Sequence, residues 1–578
     1  MQRIIPAGLF PKGTRHFFVF STLLLSVTLV GCGEGAGSGV LTAPSDTGLP
    51  ADTSPENTSN NGSSESGRSD SRPVDGEDDD ADDQRGSRPL SREAAAQASR
   101  FLAQATFGPR RDEIDALVRG GNDFAAWIDD QMQKTPTLHR PLAQTLGGNK
   151  RTNAWWSAVV DHDDQLRQRM AWALSQILVI SDFPTILRNH QDAVLDYYDL
   201  LVRQAFGSYR DLLEDVTLSL PMGIYLSMKD SRKYDPATGA HPDENYAREV
   251  MQLFTIGLWQ LDESGRRILK NGQPIPTYGQ QDVEALARIF SGWSSADSWS
   301  YGNDFSRPMK AYPQYHDDGE KIFLGERFPA GQTPEEDLRQ ALDILFNHPN
   351  TGPFISRQLI QRFVTSNPSP DYVRRVAAVF ADNGRGERGD LGAVVRAILL
   401  DDEARHLHRP DEAFGKLREP LLRVTHLWRN HHGKVKAGSF WKPEKDFLQA
   451  PLRSPTVFNF YPPDFSPVGE LRDRNLVAPE FAITTTTSIT TTTNKLYSMI
   501  YERWDAESSL DLGELETIAT DADALIDWLD LVYCAGGMSD ALRETIASAL
   551  SDNAGTPRQR ARDALYLVIG SAEYAVAR

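Results

Sequence analysis

From about residue 93 the apolar positions recur at helical spacing. Ala94, Ala95, Ala98, Phe101, Leu102 and Ala105 fall on one face, and Phe107-Gly108-Pro109 stops the run. Ile114, Leu117 and Val118 begin a second helix; Phe124, Trp127, Ile128 and Met132 begin a third. The spacing predicts a long helix or a pair over 155–180 and another helix over 191–206. Further helices are expected near 210–220, 243–257, 280–291, 334–347, 351–364, 371–382, 390–400, 414–429, 521–534, 538–550 and 556–569. Strand signals are few: Lys321-Ile322-Phe323-Leu324, and Arg267-Ile268-Leu269 before the turn Asn271-Gly272. Thr484–Thr487, Ser488, Ile489 and Thr490–Thr493 form a low-complexity tract. Threonine is a weak helix former that suits strands, so a strand, a loop or a helix forced by packing are all open. The expectation is a mainly α, large multi-helical body with few short strands. At about 480 residues it exceeds one simple bundle, which implies two lobes. A soft boundary near residue 330 divides them into 93–330 and 331–578.

The first 92 residues follow a different pattern. Phe17 to Gly31 is an apolar run ending at Cys32, preceded by Arg3, Lys12 and Arg15 and by no acidic residue. A basic start, a short apolar core and a small residue before the cut make a secretory signal. Leu29-Val30-Gly31-Cys32 looks like a bacterial lipobox, whose cysteine is acylated and becomes the new N-terminus. The competing readings are a membrane-spanning anchor and plain secretion with a free cysteine. The apolar run is about 14 residues, whereas a spanning helix needs roughly 20. The expectation is therefore a lipoprotein signal peptide over 1–31 and an acylated Cys32, held on the bacterial envelope. Gly33, a non-aspartate after the cysteine, points to the outer membrane. Residues 33–92 are rich in Gly, Ser, Asp, Asn, Thr and Pro and carry 13 acidic and 5 basic side chains. Such a segment cannot bury enough apolar surface to offset its ordering entropy. It reads as a disordered acidic tether, with ends roughly 40–45 Å apart as a flexible coil.

Charge narrows the partners. The formal net charge is −19, of which residues 93–578 carry −14. No Lys/Arg run offsets this, so nucleic acid is not an expected partner. The chain has 2 cysteines, Cys32 and Cys534. With Cys32 acylated there is no disulfide framework and no cysteine-based zinc site. Cys534 reads as a small buried hydrophobe.

Chemistry concentrates near the centre, in His241-Pro242-Asp243-Glu244-Asn245-Tyr246-Ala247-Arg248-Glu249-Val250 and the residues up to Gly257. Pro242, Asp243 and Glu244 suit a first helical turn, and Gly257 suits a C-terminal cap. Tyr246, Val250, Leu253, Phe254 and Gly257 make the apolar face, and Glu244 can pair with Arg248 four residues on. Tyr278-Gly279-Gln280-Gln281-Asp282-Val283 follows, ending in Gly292-Trp293; then comes Tyr315-His316-Asp317-Asp318-Gly319-Glu320-Lys321. These three stretches, in this order, resemble the bacterial family named domain of unknown function 1800. Asn347-His348-Pro349, Phe354-Ile355, Leu359-Ile360, Phe363-Val364 and Pro479-Glu480-Phe481 extend the resemblance over roughly 95–575. It implies a mostly helical envelope or secreted protein with no established reaction. It also implies a possible partner, the secreted family named domain of unknown function 1501.

Two functional readings follow. In the first the chain is a non-enzymatic envelope lipoprotein, a helical scaffold binding a secreted partner protein or a surface polymer. In the second it is an envelope hydrolase or transferase acting on a glycan or polymer. Glu244, Glu249, Asp282, His316 and Asp317 would then be catalytic, with His241, Asn245, Arg248, Trp293 and Lys321 as binding residues. A divalent metal is one option for that set, together with Asp318, since carboxylates suit Mg²⁺ or Ca²⁺ and histidine suits Zn²⁺. There is no His-Glu-x-x-His and no EF-hand spacing. A paired-acid glycosidase would need Glu244 or Glu249 within roughly 5–10 Å of Asp317. The competing account makes Glu244, Arg248 and Glu249 ion pairs that lock helices, and His316-Asp317 a surface turn. Trp155, Trp156, Trp172, Trp259, Trp293 and Trp428 are either a sugar-stacking platform or core.

Overall fold

A computed structural model describes residues 91–146, 150–299, 304–405, 413–431, 442–501, 510–552 and 555–578. The signal segment, Cys32 and the acidic tether to residue 90 lie outside the described residues. All the described residues belong to one unit, 84–578.

The first helix is Arg92–Ala105, capped by Ser91, whose Oγ accepts from the Ala94 amide at 3.0 Å. The turn that ends it needs glycine for two reasons. Gly108 has a φ of +130°, and a Cβ there would lie 2.4 Å from the His426 Cα. This close approach seats the turn on helix Pro420–Asn430, where the Thr425 hydroxyl donates to the Phe107 carbonyl at 2.8 Å.

Among the described residues 26 α-helices form, with four two-stranded antiparallel sheets, so the body is mainly α. The stretch 155–180 becomes a pair, Lys150–Asp161 and Gln165–Ser175. Lys321–Phe323 pairs with Glu326–Phe328, and Leu269–Lys270 with Gln273–Pro274. Asn271 and Gly272, at φ of +55° and +79°, make the second of these turns. The helix expected near 414–429 starts later, because Pro420 disfavours helix in the residue before it. Lys416–Leu417 is instead a strand paired with Val576–Ala577, and the helix is Pro420–Asn430. The threonine tract resolves as helix Thr486–Ile500, capped by the Thr485 hydroxyl. Leu496, Met499 and Ile500 are buried on one side, so packing outweighs propensity.

One hydrophobic cluster runs through the body on both sides of residue 330 and includes Phe101, Trp172, Phe254, Leu286, Leu359, Val395, Trp428 and Leu565. Trp155, Trp156, Trp172, Trp293 and Trp428 are all buried, so they serve the core; Trp259 is half-buried beside Arg267. No helix among the described residues is long and apolar enough to cross a membrane.

Polar groups also enter this interior. Glu419 is fully buried, and its Oε2 accepts from Trp172 Nε1 and Gln176 Nε2 at 3.0 Å each and from Gln449 Nε2 at 2.6 Å. Three residues earlier, buried Lys416 pairs with Glu480 at 3.0 Å and donates to the carbonyls of Gln361 and Arg362. The first helix also meets helix Ala522–Cys534. Arg92 pairs with Asp530 at 3.1 Å, and the Ser99 hydroxyl donates to the Leu531 carbonyl at 2.7 Å.

Gly108→Ala should destabilise the fold by about 2–4 kcal/mol, combining a strained backbone with overpacking against His426. Urea unfolding of the two proteins measures this.

Candidate functional site

Helix Gln280–Ile289 organises the candidate residues, which it holds at two separate stations. At its N-terminal end Gln280 Nε2 donates to Glu244 at 3.1 Å, and Glu244 pairs with Arg248 at 2.8 Å. Asp282 closes the helix start: one oxygen accepts from the Gly279 amide and the other from Leu324, at 2.9 Å each. The second bond ties the helix to the hairpin turn at Leu324-Gly325, where both residues have positive φ.

At the other end Arg288 grips Asp317 with two bonds, at 2.8 and 3.0 Å. Burial would raise the Asp317 carboxyl, but this charged fork outweighs it and holds the carboxyl below its usual range. Asp317 also accepts from the Gly319 amide at 3.0 Å, which makes the expected turn. His316 is not on the surface. It is 1 % exposed, with Nδ1 at 2.9 Å from the Ser291 carbonyl and Nε2 at 3.1 Å from Asp337. Both ring nitrogens are thus within hydrogen-bond distance of an oxygen. Lys321 reaches the same Asp337 oxygen at 2.7 Å and the carbonyls of Asp317 and Gly319. Gln280 and Arg288 are eight residues apart, which is about 12 Å of helix. Glu244 and Asp317 thus sit at opposite ends of one rod.

The motif upstream is not a continuous α-helix. Asn245–Glu249 is α-helical and Val250–Thr255 is a π-helix. The wider turn shifts the buried face, so Met251 is buried with Val250 and Phe254, and Leu253 is only half-buried. Backbone groups released by the π turn find other partners. The Thr255 hydroxyl donates to the Val250 carbonyl at 2.6 Å. Gly257, at a φ of +68°, ends the segment as expected. Asn350 then takes over the free carbonyls: its Nδ2 donates to Ile256 at 2.8 Å and Trp259 at 2.7 Å, and its Oδ1 accepts from Leu261 at 2.9 Å.

Glu249, the last residue before the π turn, differs from the other candidates. It is 7 % exposed, and its Oε2 is buried with no hydrogen-bond partner. Burial raises its carboxyl to about 6, against a pull from Arg248. Its charge reaches Tyr225 and Tyr278, whose phenols burial and Glu249 together push up to about 12.

His241 and Asn245 are exposed, with the His241 ring 4.8 Å from that of Tyr234. Recesses of about 650 and 500 Å³ are lined by none of the ten candidates; Glu326, Gln340 and His348 line the first, Arg140, His190 and Asp196 the second. Among the described residues no three His, Cys, Asp or Glu side chains are grouped to hold a metal ion. The arrangement is thus two polar locks on one helix and one buried carboxyl beside a π-helix.

Sequence reasoning missed Asp337, Asn350 and Tyr225, and named Tyr278 as part of a motif but not as a site residue. Asp337 did leave a signal, an acid on the same helical face as Leu338, Ala341 and Leu345.

Asp337→Ala should cost about 3–5 kcal/mol, because it strands a buried lysine and histidine. Glu244→Ala, at a half-exposed pair, should cost under about 1 kcal/mol; denaturant midpoints compare the two. Glu249 binds its proton more tightly folded than unfolded. Its stabilising contribution is therefore full below its ordinary value of 4.5 and lost as pH rises through about 6. Glu249→Gln should flatten stability across that window and add roughly 2 kcal/mol at neutral pH.

A model of the family described as protein of unknown function (DUF1800) matches residues 100–576. No curated protein and no solved structure matches the chain. With nearly the whole described body inside that match, the chain belongs to the DUF1800 family.

Proposed function

We propose that the protein is an envelope lipoprotein whose helical body is a non-enzymatic scaffold for a secreted partner protein or a surface polymer. The observation that carries this reading is the occupation of the polar motifs. Glu244, Asp282, His316 and Asp317 are each bonded to neighbouring helices and turns. Groups committed in this way position elements and are not free to meet a substrate. The lipobox-like Leu29-Val30-Gly31-Cys32 and the acidic stretch after it support placement at the outer membrane surface. A secreted member of the family named domain of unknown function 1501 is the favoured partner.

The second reading, an envelope hydrolase or transferase, is favoured by one observation. Glu249 is a buried carboxyl raised to about 6, a value suited to proton transfer near neutrality.

Crosslinking in intact cells, followed by affinity recovery and mass spectrometry, tests the scaffold reading. The expected result is one specific secreted protein or glycan. Cys32→Ser should move the protein from the membrane to the soluble fraction and lower that recovery. Cleavage of an envelope glycan by the purified protein, abolished by Glu249→Gln, would replace the scaffold reading with the second.

A further inference from the structure

Strands Leu269–Lys270 and Gln273–Pro274 form the tip of a small β arm. Its base adds the segment from Leu258 to Leu261. There the Ile268 amide donates to the Gln260 carbonyl at 2.8 Å, and the Thr277 amide to the Leu258 carbonyl at 3.1 Å. Every residue from Arg266 to Gln273 is exposed. That run holds two large apolar side chains, Ile268 at 40 % and Leu269 at 57 % exposed; Leu258, at the base, is 46 % exposed. It also holds three cations, Arg266, Arg267 and Lys270, and no acid, in a body that is acidic overall. The acids closest in sequence are Asp262 and Glu263, and Asp262 Oδ1 is turned to the amides of Ser264 and Arg266, at 2.9 and 3.0 Å. A Cβ at Gly272 would meet no atom within 4 Å, so the turn stands clear of the body.

We infer that this arm docks on an anionic phospholipid membrane, with Ile268 and Leu269 entering the interface and Arg266, Arg267 and Lys270 meeting the headgroup phosphates. Aliphatic side chains held in water gain free energy at the acyl boundary, while long cationic side chains keep their charged ends among the headgroups. An anionic surface attracts each cation that comes within a Debye length of it. The main chain suits that layer because its polar groups are paired: Ile268 donates to Gln260, and its carbonyl accepts from Ile275 at 3.1 Å. A neutral surface would engage the apolar residues and leave the cations unanswered. A stable protein interface takes roughly 20–30 residues a side, far more than the arm presents. This inference does not rest on acylation of Cys32, which would bring the body to a membrane without setting the face it turns there.

A dye at the tip tests the arm separately from any other attachment. The full-length protein carries Cys32→Ser and Cys534→Ala, and Gln273→Cys takes an environment-sensitive nitrobenzoxadiazole label. With vesicles of equal parts phosphatidylglycerol and phosphatidylcholine its emission should shift to the blue; with phosphatidylcholine alone it should not move. Leu269→Asp, or Arg266→Glu together with Arg267→Glu, should abolish the shift, and added salt should lessen it. The same label at Ser551→Cys, an exposed position of a C-terminal helix, should stay silent. Circular dichroism of each variant checks that it is folded. A silent label at position 273 on protein that co-sediments with anionic vesicles would place the attachment elsewhere and overturn the inference. An equal response at positions 273 and 551 would also overturn it. So would a shift that grows with protein concentration in the absence of vesicles, which would assign the arm to a second copy of the chain.

Discussion

One fully buried carboxylate holds together segments that share little else. Glu419 gathers Trp172 and Gln176 from one helix and its end, and Gln449 from the irregular stretch after residue 442. Lys416 extends the same turn to Glu480 and to the end of helix Thr351–Phe363. A charge at such depth is tolerated only with its partners in place. Long segments with little regular structure are thereby fixed in position, because moving them would strand a buried charge.

The same logic applies, at smaller scale, to helix Gln280–Ile289. Its ends and its cap hold the helix bearing Glu244, the turn bearing Asp317 and the hairpin at Leu324. Glu244, Asp282 and Asp317 thus each bond a neighbouring element across this joint. Carboxylates, histidine and lysine suit both fastening and catalysis, since each makes strong charge-assisted hydrogen bonds. What separates the tasks is whether a bonding position is left open. Among the five acid–base candidates, Glu249 has a buried oxygen without a hydrogen-bond partner.

Much of this was legible in the chain, and the parts that were not share a cause. Local signals worked. Helical spacing found Arg92–Ala105 and Pro334–Asn347, and Asn271-Gly272 marked a hairpin. The Glu244–Arg248 pair follows from a four-residue interval. Partners distant in sequence were invisible. Asp337 lies 21 residues from His316, and Glu419 is 247 residues from Trp172. Pro479-Glu480-Phe481 was conspicuous as a motif, but nothing in it names Lys416. The π-helix was hidden for another reason: its sequence keeps ordinary helical spacing, and the Asn350 amide that donates to the Ile256 carbonyl just after it comes from 94 residues away.

The contact between the first helix and helix Ala522–Cys534 has a mechanical consequence. Arg92 and Ser99 hold successive turns of the first helix to Asp530 and Leu531 of helix Ala522–Cys534. Asp530 is itself held by Arg543 and by the Met538 amide. Separating the first helix from helix Ala522–Cys534 therefore breaks an ion pair and a hydrogen bond seven residues apart, about two helical turns. Because Asp530 also holds Arg543, a displacement of the first helix is felt in helix Asp540–Asp552 as well.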